Sequence, residues 1–198
     1  MPRITDAARS GRRSQFIEAA RRCAATRGYH EVSVDEVCLE AGLSKGAFYV
    51  HFESKLALLL ALLDNETARF DRQLALLEEE TTGYADRVGR FTRLMLAEAD
   101  DPATVQLRTD LWAAALIEPA IRERFVTEID KRRQRLRSWI ESGIASGELA
   151  DVPANAFASI LLALSDGLVL HGALDPSGFR WANIRRAIEV ILEGLRKG

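Results

Sequence analysis

Apolar residues recur along this chain at offsets of three and four, the repeat of one helical face, and nowhere sustain the alternation of a strand. Val34, Val37, Cys38 and Ala41 form one such stripe, with Ser33 ahead of it as a helix N-cap and Gly42 behind it as a left-handed stop. Ile184, Ile188, Ile191, Leu192 and Leu195 form a wider one near the end of the chain. Between them the pattern is cut by Gly, Pro and Asp. It predicts nine helices over 12–27, 34–41, 44–50, 54–80, 84–99, 103–116, 119–146, 154–174 and 181–197, an all-α protein. Pro119 suits the first turn of the seventh helix, and Gly28 and Gly147 suit the ends of the first and seventh. The most apolar stretch, "AFASILLALSDGLVLHGAL", is interrupted by Asp166 and His171 and reads as a buried helix rather than a membrane span.

The segment "AGLSKGAFYVHF" (41–52) departs from both core and surface patterns. Its first turn, Ser44, Lys45, Gly46 and Ala47, is almost bare of bulk, and aromatic rings follow. Two short helices joined by a Gly-containing turn form a helix-turn-helix, whose second helix enters the major groove led by its N-terminal residues. A bare first turn lets the backbone approach base edges, and its free N–H groups favour phosphate. Lys45 can then donate to guanine O6/N7 or to phosphate, while Tyr49 and His51 face the phosphate backbone and Phe48 and Phe52 return to the core. Lys55, opening the next helix, extends this set of phosphate contacts, and Ser33 and Ser44 cap the two helices.

Charge fits that assignment. The chain of 198 residues carries a formal net charge of −2, yet residues 1–27 hold seven Arg against Asp6 and Glu18, net +5. A basic end on an acidic body suits a polyanion partner, with Arg3, Arg9, Arg12 and Arg13 as an arm that contacts DNA or stays solvated. The run "KRRQRLR" (131–137) reads instead as a solvated helix face paired with Glu128, Asp130 and Glu141. Two cysteines, Cys23 and Cys38, and a start without the apolar core of a signal peptide point to a reducing cytoplasm. His30, His51 and His171 share no ligand spacing, so no metal or other cofactor is expected. No nucleophile–base pair and no phosphate-cradling glycine loop is visible, so no catalytic residue is assigned and an enzyme is not expected.

The residues "IEAA" (17–20), Gly28-Tyr29, Ser33-Val34, Val37, "AGLSKGAFYVHF" and Ser54-Lys55 together resemble the DNA-binding domain of the TetR family of bacterial transcription regulators. The resemblance implies a three-helix DNA-binding domain over 1–55 and a helical effector-binding and dimerisation domain over 56–198. It further implies that the third helix reads DNA, the fourth joins the domains, and the last two close a homodimer on a palindromic operator. Leu164, Leu168, His171, Ile184, Ile188, Ile191 and Leu195 are then the expected dimer contacts. Phe91, Met95, Leu111 and Trp112, with Arg108 as a polar contact, are expected to line a site for a small apolar organic effector. The expected function is a repressor released from DNA by that effector. The alternatives are a helical protein-interaction module or a DNA-binding protein without an effector.

Overall fold

A computed structural model describes residues 6–80, 83–97 and 102–196. Nine helices occupy those residues: α1 (Asp6–Arg27), α2 (Val34–Ala41), α3 (Lys45–His51), α4 (Lys55–Glu80), α5 (Tyr84–Ala97), α6 (Pro102–Ile117), α7 (Pro119–Ser146), α8 (Ala154–Leu174) and α9 (Trp181–Glu193). The one extended pairing among the described residues is an isolated antiparallel bridge between Leu149 and Arg196. The all-α reading is therefore correct, and the helix ends fall where the local chemistry puts them. Ser33 accepts the Glu36 N–H, and the Glu36 carboxylate accepts the Ser33 N–H, a reciprocal cap. Ser44 accepts the Ala47 N–H at 3.1 Å, and Ser54 accepts that of Ala57 at 3.1 Å. Gly28, Gly42 and Gly147 all sit at positive φ (83°, 65° and 79°), where a Cβ would be strained.

Two boundaries differ from expectation. α1 begins at Asp6 rather than near residue 12, so Arg9, Arg12 and Arg13 lie on a helix; Arg3 lies outside the described residues. The chain also divides elsewhere than between 55 and 56. One compact unit is Met1–Ala68 with Pro102–Arg122, and the other is Arg69–Asp101 with Glu123–Gly198. α6, expected among the effector helices, packs against α1 in the first unit. α4 continues from the first unit into the second.

The first unit closes on aromatic rings. Phe16 meets Phe48 and Phe52 edge-on at centroid distances of 5.5 and 6.2 Å, and all three are buried. Ala19, Ala20 and Ala24 are small enough to let α1 lie close to its neighbours. In the second unit, Phe70, Phe91 and Trp139 form an edge-to-face chain, joined by Leu74, Met95, Leu136, Ile140, Leu161 and Ile188. α8 is long and apolar enough, by length and composition, to cross a membrane. Ala158, Leu161, Leu162, Ser165 and Val169 of this helix are buried within the protein.

Candidate nucleic-acid interface

The turn between α2 and α3 is short because Gly42 ends one helix and Ser44 begins the next. The Leu43 N–H returns to the Cys38 carbonyl at 3.0 Å, and the Gly42 N–H to that of Leu39 at 3.1 Å. α3 is then fixed by burial of Phe48 alone among its seven residues. The rest of the helix faces outward. Ser44, Lys45 and Gly46 are exposed, Ala47 is half-buried, and a Cβ placed on Gly46 would meet nothing closer than the Ser44 hydroxyl at 3.8 Å. Tyr49 is 54% exposed, with its ring edge-on to Phe48 at 5.3 Å. The seven expected DNA-facing positions from Ser33 to His51 thus lie on two successive capped helices, with a bare helix start in their midst.

Lys45 carries more than a free charge. Its ammonium group lies 2.8 Å from one Asp35 carboxylate oxygen and 3.1 Å from the other. The hydrogen bond and charge of Asp35 raise the Lys45 pKa, so the ammonium stays charged. Both side chains are more than half exposed, so the pair adds little to stability and can open when a better acceptor arrives. Ser33 is exposed, with its hydroxyl engaged by Glu36.

His51, at the end of α3, faces the basic start of α1. Burial lowers its pKa first, and the charges of Arg9, Arg12 and Arg13 lower it further. Arg13 lies over the Phe52 ring at 5.2 Å. The α1 arginines therefore join the C-terminal end of α3 in one positive surface. Sequence reading left them in an arm because the polar start of α1 has no apolar stripe; the seven-arginine count was the available signal.

Lys55 departs from its expected role. Its ammonium donates to the His30 carbonyl at 3.0 Å and lies over the Tyr29 ring at 4.8 Å. Burial lowers its pKa, and the Tyr29 hydroxyl donates to the Lys55 carbonyl at 2.5 Å. Burial raises the Tyr29 pKa, so that hydroxyl remains a donor. Lys55 fastens the α1–α2 turn to the start of α4 instead of reaching outward, because the buried ring of Tyr29 offers its ammonium a nearer face.

The expected effector residues fall in both compact units. Phe91 and Met95, each 1% exposed, belong to the core of the second unit, whereas Arg108, Leu111 and Trp112 belong to the first. Neither a cleft of about 550 Å³ beside Leu76 and Leu94 nor a smaller one of about 270 Å³ beside Val88 and Leu192 has Phe91 or Met95 in its wall. Hydrophobic residues on two successive helices, α5 and α6, cannot be assigned to a common wall by composition. The second unit does hold a cation on an aromatic face: the Arg132 guanidinium stands 4.1 Å from the Phe70 ring centroid. In the rest of the 131–137 run Leu136 is buried, and charged residues pair along the helix, with Lys131–Glu128, Arg133–Asp130 and Arg137–Glu141 at 2.8, 2.7 and 2.7 Å.

The expected dimer stripe also splits. Ile188 and Leu195, 5% and 4% exposed, are buried inside the second unit, and Leu164, Leu168 and Ile184 pack against the same core. His171 and Ile191 are exposed. The outward apolar residues of α8 and α9 are Ile160, Leu170, Leu174, Val190 and Ile191, between 44% and 75% exposed. A stripe drawn at helical offsets gives a face, and the protomer's own core claimed the half of it that packs best.

Residues 16–62 match the family model of bacterial regulatory proteins of the tetR family, and residues 84–197 match that of the BetI-type transcriptional repressor C-terminal domain. The chain is 26% identical over 197 residues to the HTH-type transcriptional repressor AcnR of Corynebacterium diphtheriae, covering 99% of this chain and 97% of that one. It is 47% identical over 55 residues to the HTH-type transcriptional activator FasR of Mycolicibacterium smegmatis, covering 28% of this chain and 25% of that one. A crystal structure of a putative transcriptional regulator from Saccharomonospora viridis in complex with choline superposes with a TM-score of 0.86 at 27% identity, over 96% of this chain and 100% of that one. The outward-facing α3, the matched DNA-binding helices and the matched C-terminal domain lead to one assignment: the chain belongs to the TetR family of bacterial regulatory proteins and is a DNA-binding transcriptional regulator.

Proposed function

We propose that the protein is a homodimeric repressor that sits on a palindromic operator in the bacterial cytoplasm and leaves it when a small molecule binds the C-terminal helices. The observation that carries the DNA half is the capped, bare first turn of α3, with Lys45 at its tip and the α1 arginines at its far end. Lys45 is assigned to base edges, and Tyr49, His51 and the arginines to phosphates on either side. Ser33, Ser44, Gly46 and Ala47 supply the helix starts and the close approach. Two such heads, related by a two-fold axis, read half-sites about 34–36 Å apart. Selection of bound duplexes from a random pool tests this: the expected product is a palindrome, and an asymmetric or unenriched pool would oppose it.

The dimer is assigned to the outer face of α8 and α9, where Ile160, Leu174, Val190 and Ile191 stand in solvent in the isolated protomer. The effector is assigned to the second unit. The choline complex of the Saccharomonospora viridis regulator makes a quaternary ammonium the first compound to try. Release of the selected duplex by choline, followed by fluorescence anisotropy, is the expected result. No release by choline or by a diverse set of small organic molecules would favour a regulator without an effector.

A further inference from the structure

Asp110 stands on α6 and is only 9% exposed. Both of its carboxylate oxygens are engaged within the first unit. Oδ2 accepts the backbone N–H of Tyr29 at 2.6 Å, and Oδ1 accepts from the Gln106 amide, one turn earlier on α6, at 3.3 Å. The residue before Tyr29 is Gly28, at φ 83°. A Cβ there would lie 3.3 Å from Gln106 Nε2 and 3.4 Å from each Asp110 oxygen, so the turn approaches α6 as closely as a bare backbone can. Tyr29 carries the connection onward. Its hydroxyl donates to the Lys55 carbonyl, and the Lys55 ammonium donates to the His30 carbonyl. α6, the α1–α2 turn and the start of α4 therefore meet at one hydrogen-bonded knot.

A buried carboxylate is costly unless its acceptors are satisfied, and a charge-assisted bond of this length is among the stronger ones. Sliding α6 by about 1 Å would stretch it beyond hydrogen-bond range and leave a buried charge in need of an acceptor. The junction is thus either made or broken. When made, it holds the backbone from which α2 departs, and α2 in turn sets α3 through the Gly42 turn.

We infer that Asp110 is a positioning residue for DNA reading. Through Tyr29 it holds the α1–α2 turn in the conformation that presents α3, and it makes α6 a working part of the reading head. Displacement of α6 is converted at this bond into a loosened head, which must then be ordered again at a cost when DNA binds. The inference rests on the DNA-binding assignment and adds to it the residue through which α6 acts.

The test compares Asp110→Ala, Asp110→Asn and Gln106→Ala with wild type. Each is titrated with a duplex that wild type selects from a random pool. Melting temperature and hydrogen exchange of the Tyr29 amide are measured beside it. Asp110→Ala is expected to weaken binding about tenfold and to expose the Tyr29 amide to exchange, while amides of α9 keep their protection. Asp110→Asn, whose amide oxygen still accepts, should restore most of both. A lower melting temperature with unchanged affinity of the folded protein would make Asp110 a stability residue only and overturn the inference. So would a Tyr29 amide that stays protected in Asp110→Ala. Should that variant fail to fold, Gln106→Ala decides: a loss of about two- to fivefold supports the role, and unchanged binding overturns it. Failure of wild type to select any duplex would count against the DNA-binding assignment instead.

Discussion

The two compact units use opposite means to place their surfaces. The first packs α1, α2 and α3 around three phenylalanine rings and fixes their ends with caps, glycines and buried polar bonds. The second stacks its helices face to face around Phe70, Phe91, Trp139 and their aliphatic neighbours. In the first, the working surface is a helix end. Its orientation follows from caps between residues a few apart, together with the bonds that Asp110 and Lys55 make to the α1–α2 turn. In the second, the working surfaces are sides of helices, and which side faces outward depends on partners a hundred residues away. A change in the first unit should therefore act on DNA through local geometry, while a change in the second should act through packing.

The sharpest contrast lies on α9. Ile188 and Ile191 are neighbours on one helix, one buried and one 53% exposed. Ile188→Asp should bury a charge among Leu161 and Leu192 and destabilise the second unit by about 3–5 kcal/mol, read as a lower urea midpoint. Ile191→Asp should leave that midpoint nearly unchanged and dissociate the dimer in sedimentation. If the two behave alike, the division of α9 into an inner and an outer face is wrong.

Lys55 offers a second contrast, within the head. Because its ammonium is bound to His30 and Tyr29, Lys55→Ala should lower thermal stability by about 1 kcal/mol without flattening the salt dependence of DNA binding. A slope reduced by about 0.9 would mean that it contacts phosphate after all. Asp35→Asn should do the reverse. It removes the partner of Lys45, so random DNA should bind more tightly and the salt slope should steepen, with no measurable change in stability.

The smallest expected effect concerns His51. Its folded-state pKa lies below the ordinary 6.5, so the unfolded chain takes up its proton first as pH falls. Its contribution to stability is therefore whole above about pH 6.5 and declines as pH falls through the lower folded value. His51→Gln should flatten that part of the stability–pH curve; an unchanged curve would show that neither burial nor the Arg9, Arg12 and Arg13 charges lower the His51 pKa.

The same contrast explains what could be read from the residues alone. Ser33, Gly42, Ser44, Ser54 and Gly147 act through bonds to immediate neighbours, and each caps or ends the helix it was expected to. Lys45 and Tyr49 face outward because Phe48 faces inward on the same short helix, while His51 is half-buried beside Phe16. The bond that holds the Lys55 ammonium was not legible, because its acceptor, His30, is twenty-five residues away. Asp110 and Gln106 belong to the reading head, and nothing in α6 itself tells that it packs on α1. Phe91 and Leu111 satisfy one hydrophobic pattern and lie in different units. Helical offsets give the faces of a helix; only the packed protein assigns their partners.

The central claim is that the first turn of α3 reads bases while its last turn holds the phosphate backbone. Titration of Lys45→Ala against the selected duplex and against random DNA, over a range of salt, tests it most directly. The account predicts a loss of about 1–3 kcal/mol on the selected duplex and a smaller one on random DNA, which narrows the gap between them. An equal loss on both, with the salt slope flattened by about 0.9, would reduce Lys45 to a phosphate contact and contradict it.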